Sequence, residues 1–272
     1  MTKGREMSKI KSLVYFDLEA TGLKSSGRPR ITEISFVAVN IEDVKEMHLK
    51  IQNHQPNRKY PDDHHHIESF LPRVLSKLTL CVYPMATIMP IVTDITGLDN
   101  YNLEDQTRFD SNTGQLLLNF LARLPSPVCL VAHNGNIYDF PLLKAEMEKV
   151  GMEVGSNVLC ADSYIGIKAI FCNSNQLIQD QKKNEIEAMR IQEVKMSRKY
   201  SLNQRKLTTP HSFSLINLHK HMLDCKPIRS HGAEADCLAL LRTTSALGND
   251  WVDWVENNCK LFLDIKKMWD MD

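Results

Sequence analysis

The run Leu13-Val14-Tyr15-Phe16-Asp17-Leu18-Glu19-Ala20-Thr21-Gly22-Leu23 constrains this chain more than any other stretch. It is apolar and aromatic, carries two acids two positions apart, and closes on a Thr-Gly turn. A short apolar run bounded by a turn reads as a buried strand. Strand side chains alternate faces, so Asp17 and Glu19 point the same way from the end of a core strand. Two like charges held together at the edge of a core are costly unless a cation neutralises them. A hard divalent ion such as magnesium, which takes oxygen ligands, is the usual solution. Taken alone, the pair reads as two solvated acids at a strand end. The rest of the chain has to decide.

The chain has 272 residues, 43% of them hydrophobic, enough for one sizeable core with decorations. Lys plus Arg and Asp plus Glu number 33 each, so no global basic surface advertises nucleic-acid coating. Any such contact must be local. The segment Lys182–Lys206 is the candidate, with eight basic residues against three acids; a solvated surface segment explains it equally well. The seven cysteines are spread singly without a Cys-x-x-Cys pair, which suggests reduced, buried thiols rather than disulfides or a zinc site. Met1–Lys11 lacks the apolar core of a signal peptide. No run approaches the roughly 18 apolar residues of a membrane span. The expectation is a cytoplasmic or nuclear protein with no membrane partner.

Strand-like runs occur at Leu13–Phe16, Ile31–Val39, Lys77–Val82, Val128–Ala132 and Val158–Ala161. Helical spacing appears in Leu116, Leu117, Phe120, Leu121 and Leu124, and again in Phe140, Leu143, Met147 and Val150. Further helices are predicted at Ser163–Phe171, Ser214–Met222, Glu234–Leu247 and Asp250–Cys259. This order predicts an α/β fold with a mixed five-stranded central sheet flanked by helices. The expected division is a polar segment over 1–11, one domain over 12–262 and a tail over 263–272. Two interruptions fall inside the domain. Residues 40–73 read as an irregular insertion, and its Asp62-Asp63-His64-His65-His66 cluster reads as a polar bend rather than a transition-metal site. Residues 172–211 form a long basic connection, a length uncommon without a functional role.

Two distant pieces complement Asp17 and Glu19. In Leu130-Val131-Ala132-His133-Asn134-Gly135-Asn136-Ile137-Tyr138-Asp139-Phe140-Pro141 a strand gives way to a polar turn and then a helix. Asp139 stands at that helix entrance, where capping alone would favour an acid. In His231-Gly232-Ala233-Glu234-Ala235-Asp236 a glycine turn leads into a small-residue helix. Four acids from three regions plus one His are the inventory of a two-metal phosphodiester hydrolase. In that chemistry the acids supply hard oxygen ligands and the His removes a proton from the attacking water.

These pieces resemble the three exonuclease motifs of the DEDDh superfamily. Leu78-x-Leu80-Cys81-Val82-x-Pro84, Asp94-Ile95-Thr96-Gly97-Leu98 and Trp251-Val252-Asp253 narrow the resemblance to the three-prime repair exonuclease (TREX) family, over roughly 12–262. It implies an RNase H-like fold and 3′→5′ exonuclease activity releasing nucleoside monophosphates from single-stranded or frayed 3′ ends of DNA. It also implies two Mg2+ ions per site, with Mn2+ a substitute, held by Asp17, Glu19, Asp139 and Asp236. Asp17 would be shared between the ions and His231 would be the general base. Substrate contacts would come from Glu19 and Ala20 at the terminal 3′-hydroxyl, Leu23 as a wedge, and Ile95, His133, Tyr138 and His231. The implied assembly is a homodimer through edge strands. Ile137 departs from the family, where a basic residue is frequent. Two other readings stay open, an exoribonuclease on the same scaffold and a catalytically silent nucleic-acid-binding module.

Overall fold

The computed structural model describes residues 9–53, 71–173, 209–227 and 231–270. The basic segment 182–206 and the 62–66 cluster lie outside the described residues. Strand β1 is Ser12–Ala20, β2 Ile31–Asn40, β3 Val74–Cys81, β4 Val128–Ala132, β5 Val158–Asp162 and β6 Lys260–Leu261. Together they form one sheet in the order β3-β2-β1-β4-β5-β6. The first three strands pair antiparallel, β1, β4 and β5 are parallel, and β6 returns antiparallel. This is the mixed sheet of the RNase H-like fold. The two-residue β6 adds a short sixth strand to the five expected.

The core strands read as near-continuous apolar runs because both sheet faces are covered. Val14, Phe16, Leu18, Ile34, Phe36, Leu130 and Cys160 pack on one face against the helices Ser111–Ala122 and Asp139–Lys149. Leu13, Tyr15, Val37, Cys129, Val131 and Leu159 face the other way. There they meet the helices Ile41–Asn53, 163–173, Leu215–Leu223, Ala233–Ser245 and Asn249–Asn258. Phe16 anchors the first face through ring contacts with both Phe36 and Phe140. Asp17 and Glu19 follow Leu13 and Tyr15 in the alternation, so they lie on the second face.

Several boundaries differ from expectation. The insertion expected to be irregular from residue 40 opens with the helix Ile41–Asn53. Ile41, Val44, Met47 and Ile51 bury one stripe, and the Asn40 side chain accepts the Glu42 N–H at 3.0 Å. That stripe was present in the sequence beneath the polar residues around it. β1 runs through both acids to Ala20, because β2 pairs with it along its whole length. A short helix, Pro90–Thr96, buries none of its residues and so shows no apolar periodicity. Ile265 and Met268, beyond residue 262, are buried in the first cluster. Among the seven unpaired cysteines only Cys129, Cys160 and Cys237 are buried; Cys172 is exposed. Among the described residues no helix is long and apolar enough to cross a membrane.

The turn after β1 is tied down twice. Thr21 N–H donates to the Arg30 carbonyl, and Arg30 N–H returns to Thr21 Oγ1 at 3.1 Å. The Arg30 guanidinium then grips buried Glu146 through both carboxylate oxygens, fastening the Asp139–Lys149 helix to this turn. Removing one partner of such a buried pair strands the other charge, at a cost of about 3 kcal/mol. Arg30→Met is therefore expected to lower urea-unfolding stability by about that amount. A loss below roughly 0.5 kcal/mol, the scatter of neutral surface changes, would contradict the anchoring role.

Candidate active site

The acids are delivered by the ends of parallel strands. β1 and β4 run the same way, so the end of β1 and the turn after β4 share one rim of the sheet, where α/β folds place their ligands. Asp17 and Glu19 stand opposite Ser35 and Glu33 of β2. The helix Ala233–Ser245 crosses β1 and β2 above them and brings in Asp236. Its approach is close because Ala233 and Cys237 are small and fully buried, and the Cys237 thiol donates to the Ser35 carbonyl. One carboxylate oxygen each from Asp17, Glu19 and Asp236 lie within 4.8 Å of one another.

Asp139 completes the group from the N-terminus of its helix, with the residue 6% exposed. It lies outside the 4.8 Å triple, yet its charge acts on both Asp17 and Glu19. Burial, followed by the charges of Asp139, Asp236, Glu19 and Glu33, holds the Asp17 carboxyl well above the usual range. Burial with Asp236, Glu33 and Asp139 pushes Glu19 up to about 7. Asp139 is likewise pushed up to about 7, by burial first and then by the charge of Asp162, against backbone hydrogen bonds that lower it. Asp236 is raised by burial, opposed by the backbone N–H and charge of His231. Among the described residues, the charges that shift Asp17 and Glu19 are all negative. A compact set of hard oxygen donors, in which His231 at Asp236 is the one cationic influence found among the described residues, fits a divalent metal and suits neither a soft nor an anionic ligand.

His231 sits at the mouth, exposed, on a left-handed residue (φ 72°) directly before the Asp236 helix. Its N–H donates to Asp236 Oδ2 at 3.2 Å, which couples the two residues. Leu23 and Ile95 are 66% and 49% exposed and available at the rim. Tyr138 is half-buried, and its hydroxyl donates to the Gly22 carbonyl, so the ring is fixed beside the Thr-Gly turn. Ala20 is buried at the end of β1. His133 is turned inward. Its Nε2 donates to the Phe213 carbonyl and its Nδ1 accepts from Ser163, both at 2.9 Å, leaving no ring nitrogen for a ligand.

Two acids at this rim escaped the sequence reading. Glu33 Oε2 accepts the Ala233 N–H at 2.8 Å, holding the N-terminus of the Asp236 helix. The signal was a lone acid breaking the apolar face of the Ile31–Val39 run at the register of Glu19. Asp162 ends β5 and binds the turn that leads to Asp139. Its only trace in sequence was a polar residue terminating an apolar strand.

No protein-family model matches the sequence. The chain is 33% identical over 263 residues to three-prime repair exonuclease 1 of Homo sapiens, covering 96% of this chain and 71% of the relative. The same enzyme of Bos taurus is 32% identical over the same spans. Three prime repair exonuclease 2 of Mus musculus is 29% identical over 97% of this chain and 95% of the relative. The chain belongs to the three-prime repair exonuclease family. Family membership carries the reaction class, a 3′→5′ exonuclease. Among solved structures the fold is similar to E. coli exonuclease I in a complex with single-stranded DNA (12% identity, TM-score 0.53, 88% of this chain and 40% of that one). It is also similar to cell-death related nuclease 4 (13% identity, TM-score 0.52, 88% of this chain and 64% of that one). The chain thus spans about two fifths of exonuclease I.

The shifted acids give this three-prime repair exonuclease family member a testable pH signature. Glu19 and Asp139 bind their protons more tightly folded than unfolded, from ordinary values near 4 to about 7. Their contribution to stability is full below pH 4 and is lost as the pH rises through 7. Added Mn2+ should therefore raise Tm by several degrees more at pH 8 than at pH 5.5. Asp17→Asn should raise the metal-free Tm at pH 8 and abolish the metal response. Equal metal responses at both pH values would contradict this electrostatic account.

Proposed function

We propose that the protein is a divalent-metal-dependent 3′→5′ exonuclease that releases nucleoside monophosphates from DNA ends, with a preference for unpaired 3′ termini. The observation that carries this reading is the convergence of Asp17, Glu19 and Asp236 within 4.8 Å from two separate elements, with Asp139 buried beside them. Asp17, Glu19, Asp139 and Asp236 would hold two Mg2+ ions, with Mn2+ a substitute and Asp17 shared. When bound, such ions lower the pKa of the attacking water and stabilise the departing 3′-oxygen of an in-line displacement.

The chain's own groups supply the rest. His231 is the general base, because it is the titratable group at the mouth and is tied to Asp236 by its own N–H. Its exposed turn lets the ring reach a water at the scissile phosphate. Backbone near Glu19 and Ala20 meets the terminal 3′-hydroxyl. Leu23 and Ile95 offer apolar faces to the last bases, and Tyr138 walls the pocket with its hydroxyl already engaged. The Met89 N–H donates to the Thr21 carbonyl, which sets the Pro90–Thr96 helix beside the Leu23 turn. Ile91, on that helix, and Tyr101, just beyond it, are 61% and 80% exposed, and Ile137, directly before Tyr138, is 64% exposed. An apolar rim receives bases that have left their stack, which favours single strands over duplex. Such a rim reads every base alike; the likeness in fold to exonuclease I bound to single-stranded DNA supports DNA as the substrate. Strand β3 lies at the sheet edge and supports a homodimer formed by edge pairing.

A 5′-labelled oligodeoxynucleotide with Mg2+ should yield a one-nucleotide ladder shortening from the 3′ end, erased by a chelator. A matched RNA should be cleaved far more slowly. His231→Ala should lower kcat by about 10²–10⁴-fold, the range of general-base catalysis, while metal-induced stabilisation persists. A ladder that survives chelation, or full activity of His231→Ala, would overturn the reading.

A further inference from the structure

We propose that Asp162 is a positioning residue for metal binding, acting through the turn that presents Asp139; the inference rests on the metal-site reading above. Asp162 is the last residue of β5, is 2% exposed, and lies beside Ala132, where β4 ends. Its Oδ1 accepts the Tyr164 N–H at 3.0 Å, the bond of an N-cap on the helix over 163–173. A cap requires no more than that. The same Oδ1 also accepts the Asn134 N–H at 3.1 Å, and Oδ2 accepts the Asn136 N–H at 3.1 Å.

The turn over residues 133–138 is therefore wound around one buried carboxylate. Its shape is otherwise demanding. Asn134 is left-handed (φ 61°), and a Cβ on Gly135 would meet Ala132 at 2.6 Å and Phe140 at 2.9 Å. The helix bearing Asp139 starts directly on this turn, with Phe140 N–H donating to the Gly135 carbonyl and Leu142 N–H to the Tyr138 carbonyl. His133 clamps the same junction from the other side by accepting from Ser163. Where the Asp139 carboxylate falls is thus set by bonds to the end of β5. The charge of Asp162 also faces Asp139 and raises its pKa, which adds to the pull of that corner for a cation.

Two substitutions separate positioning from capping, because Asn and Ser are both good N-caps. Asp162→Asn keeps the cap and loses the charge, and its amide sets a donor against one of the turn N–H groups. Asp162→Ser keeps the cap and has no second oxygen. Mn2+ binding to the DNA-free protein, read by electron paramagnetic resonance, should be weakened about tenfold at one class of sites in both variants. The Mn2+ concentration giving half-maximal cleavage should rise in parallel, with kcat at saturating metal within a few-fold of wild type. Near-UV circular dichroism checks that each variant is folded; if one is not, the other carries the test. Unchanged Mn2+ affinity in a folded variant would reduce Asp162 to a helix cap and overturn the inference. A wild-type protein that binds no Mn2+ would instead sink the metal-site reading itself.

Discussion

Repulsion among half-buried carboxylates at the end of β1 is the constraint on which the rest of this molecule depends. Among the described residues the charges that act on Asp17 and Glu19 are those of other acids, and the cross-strand neighbour of Glu19 is another acid, Glu33. Like charges in direct register destabilise a sheet. They persist here because two apolar clusters grip the strand from both faces, through Val14, Phe16 and Leu18 on one side and Leu13 and Tyr15 on the other. The core thereby holds the acidic cluster that the proposed metal ions would neutralise.

Delivery of the other acids follows from the topology. Parallel β1, β4 and β5 end at one rim, so residues about 100 positions apart in the chain meet without long excursions. The two segments that carry Asp236 and Asp139 are each docked to the sheet by a carboxylate that accepts backbone N–H groups, Glu33 for one and Asp162 for the other. Neither has to contact a metal to matter. Carboxylates suit this task because they accept several N–H donors at once and make the stronger, charge-assisted bonds.

Most of the fold was legible because its signals are local. Apolar, strand-like runs marked β1 to β5, and helical spacing marked the helices that bury a stripe. The Pro90–Thr96 helix was missed because it buries nothing, and Ile41–Asn53 because its stripe lies among charges. The acids were legible individually, but only their order along the chain and the family resemblance joined them. What could not be read was which polar groups face inward. His133 carries a motif position and yet spends both ring nitrogens inside the protein, while Glu33 and Asp162 carry no motif signal and organise the rim. Inward orientation arises from register across strands distant in sequence, and no local pattern records it.

The most direct test is anomalous diffraction from crystals grown with Mn2+. The account predicts two peaks about 3.5–4 Å apart, the spacing of two-metal sites, both touching Asp17 and flanked by Glu19, Asp236 and Asp139. Peaks elsewhere, or none at this rim at millimolar Mn2+, would contradict it.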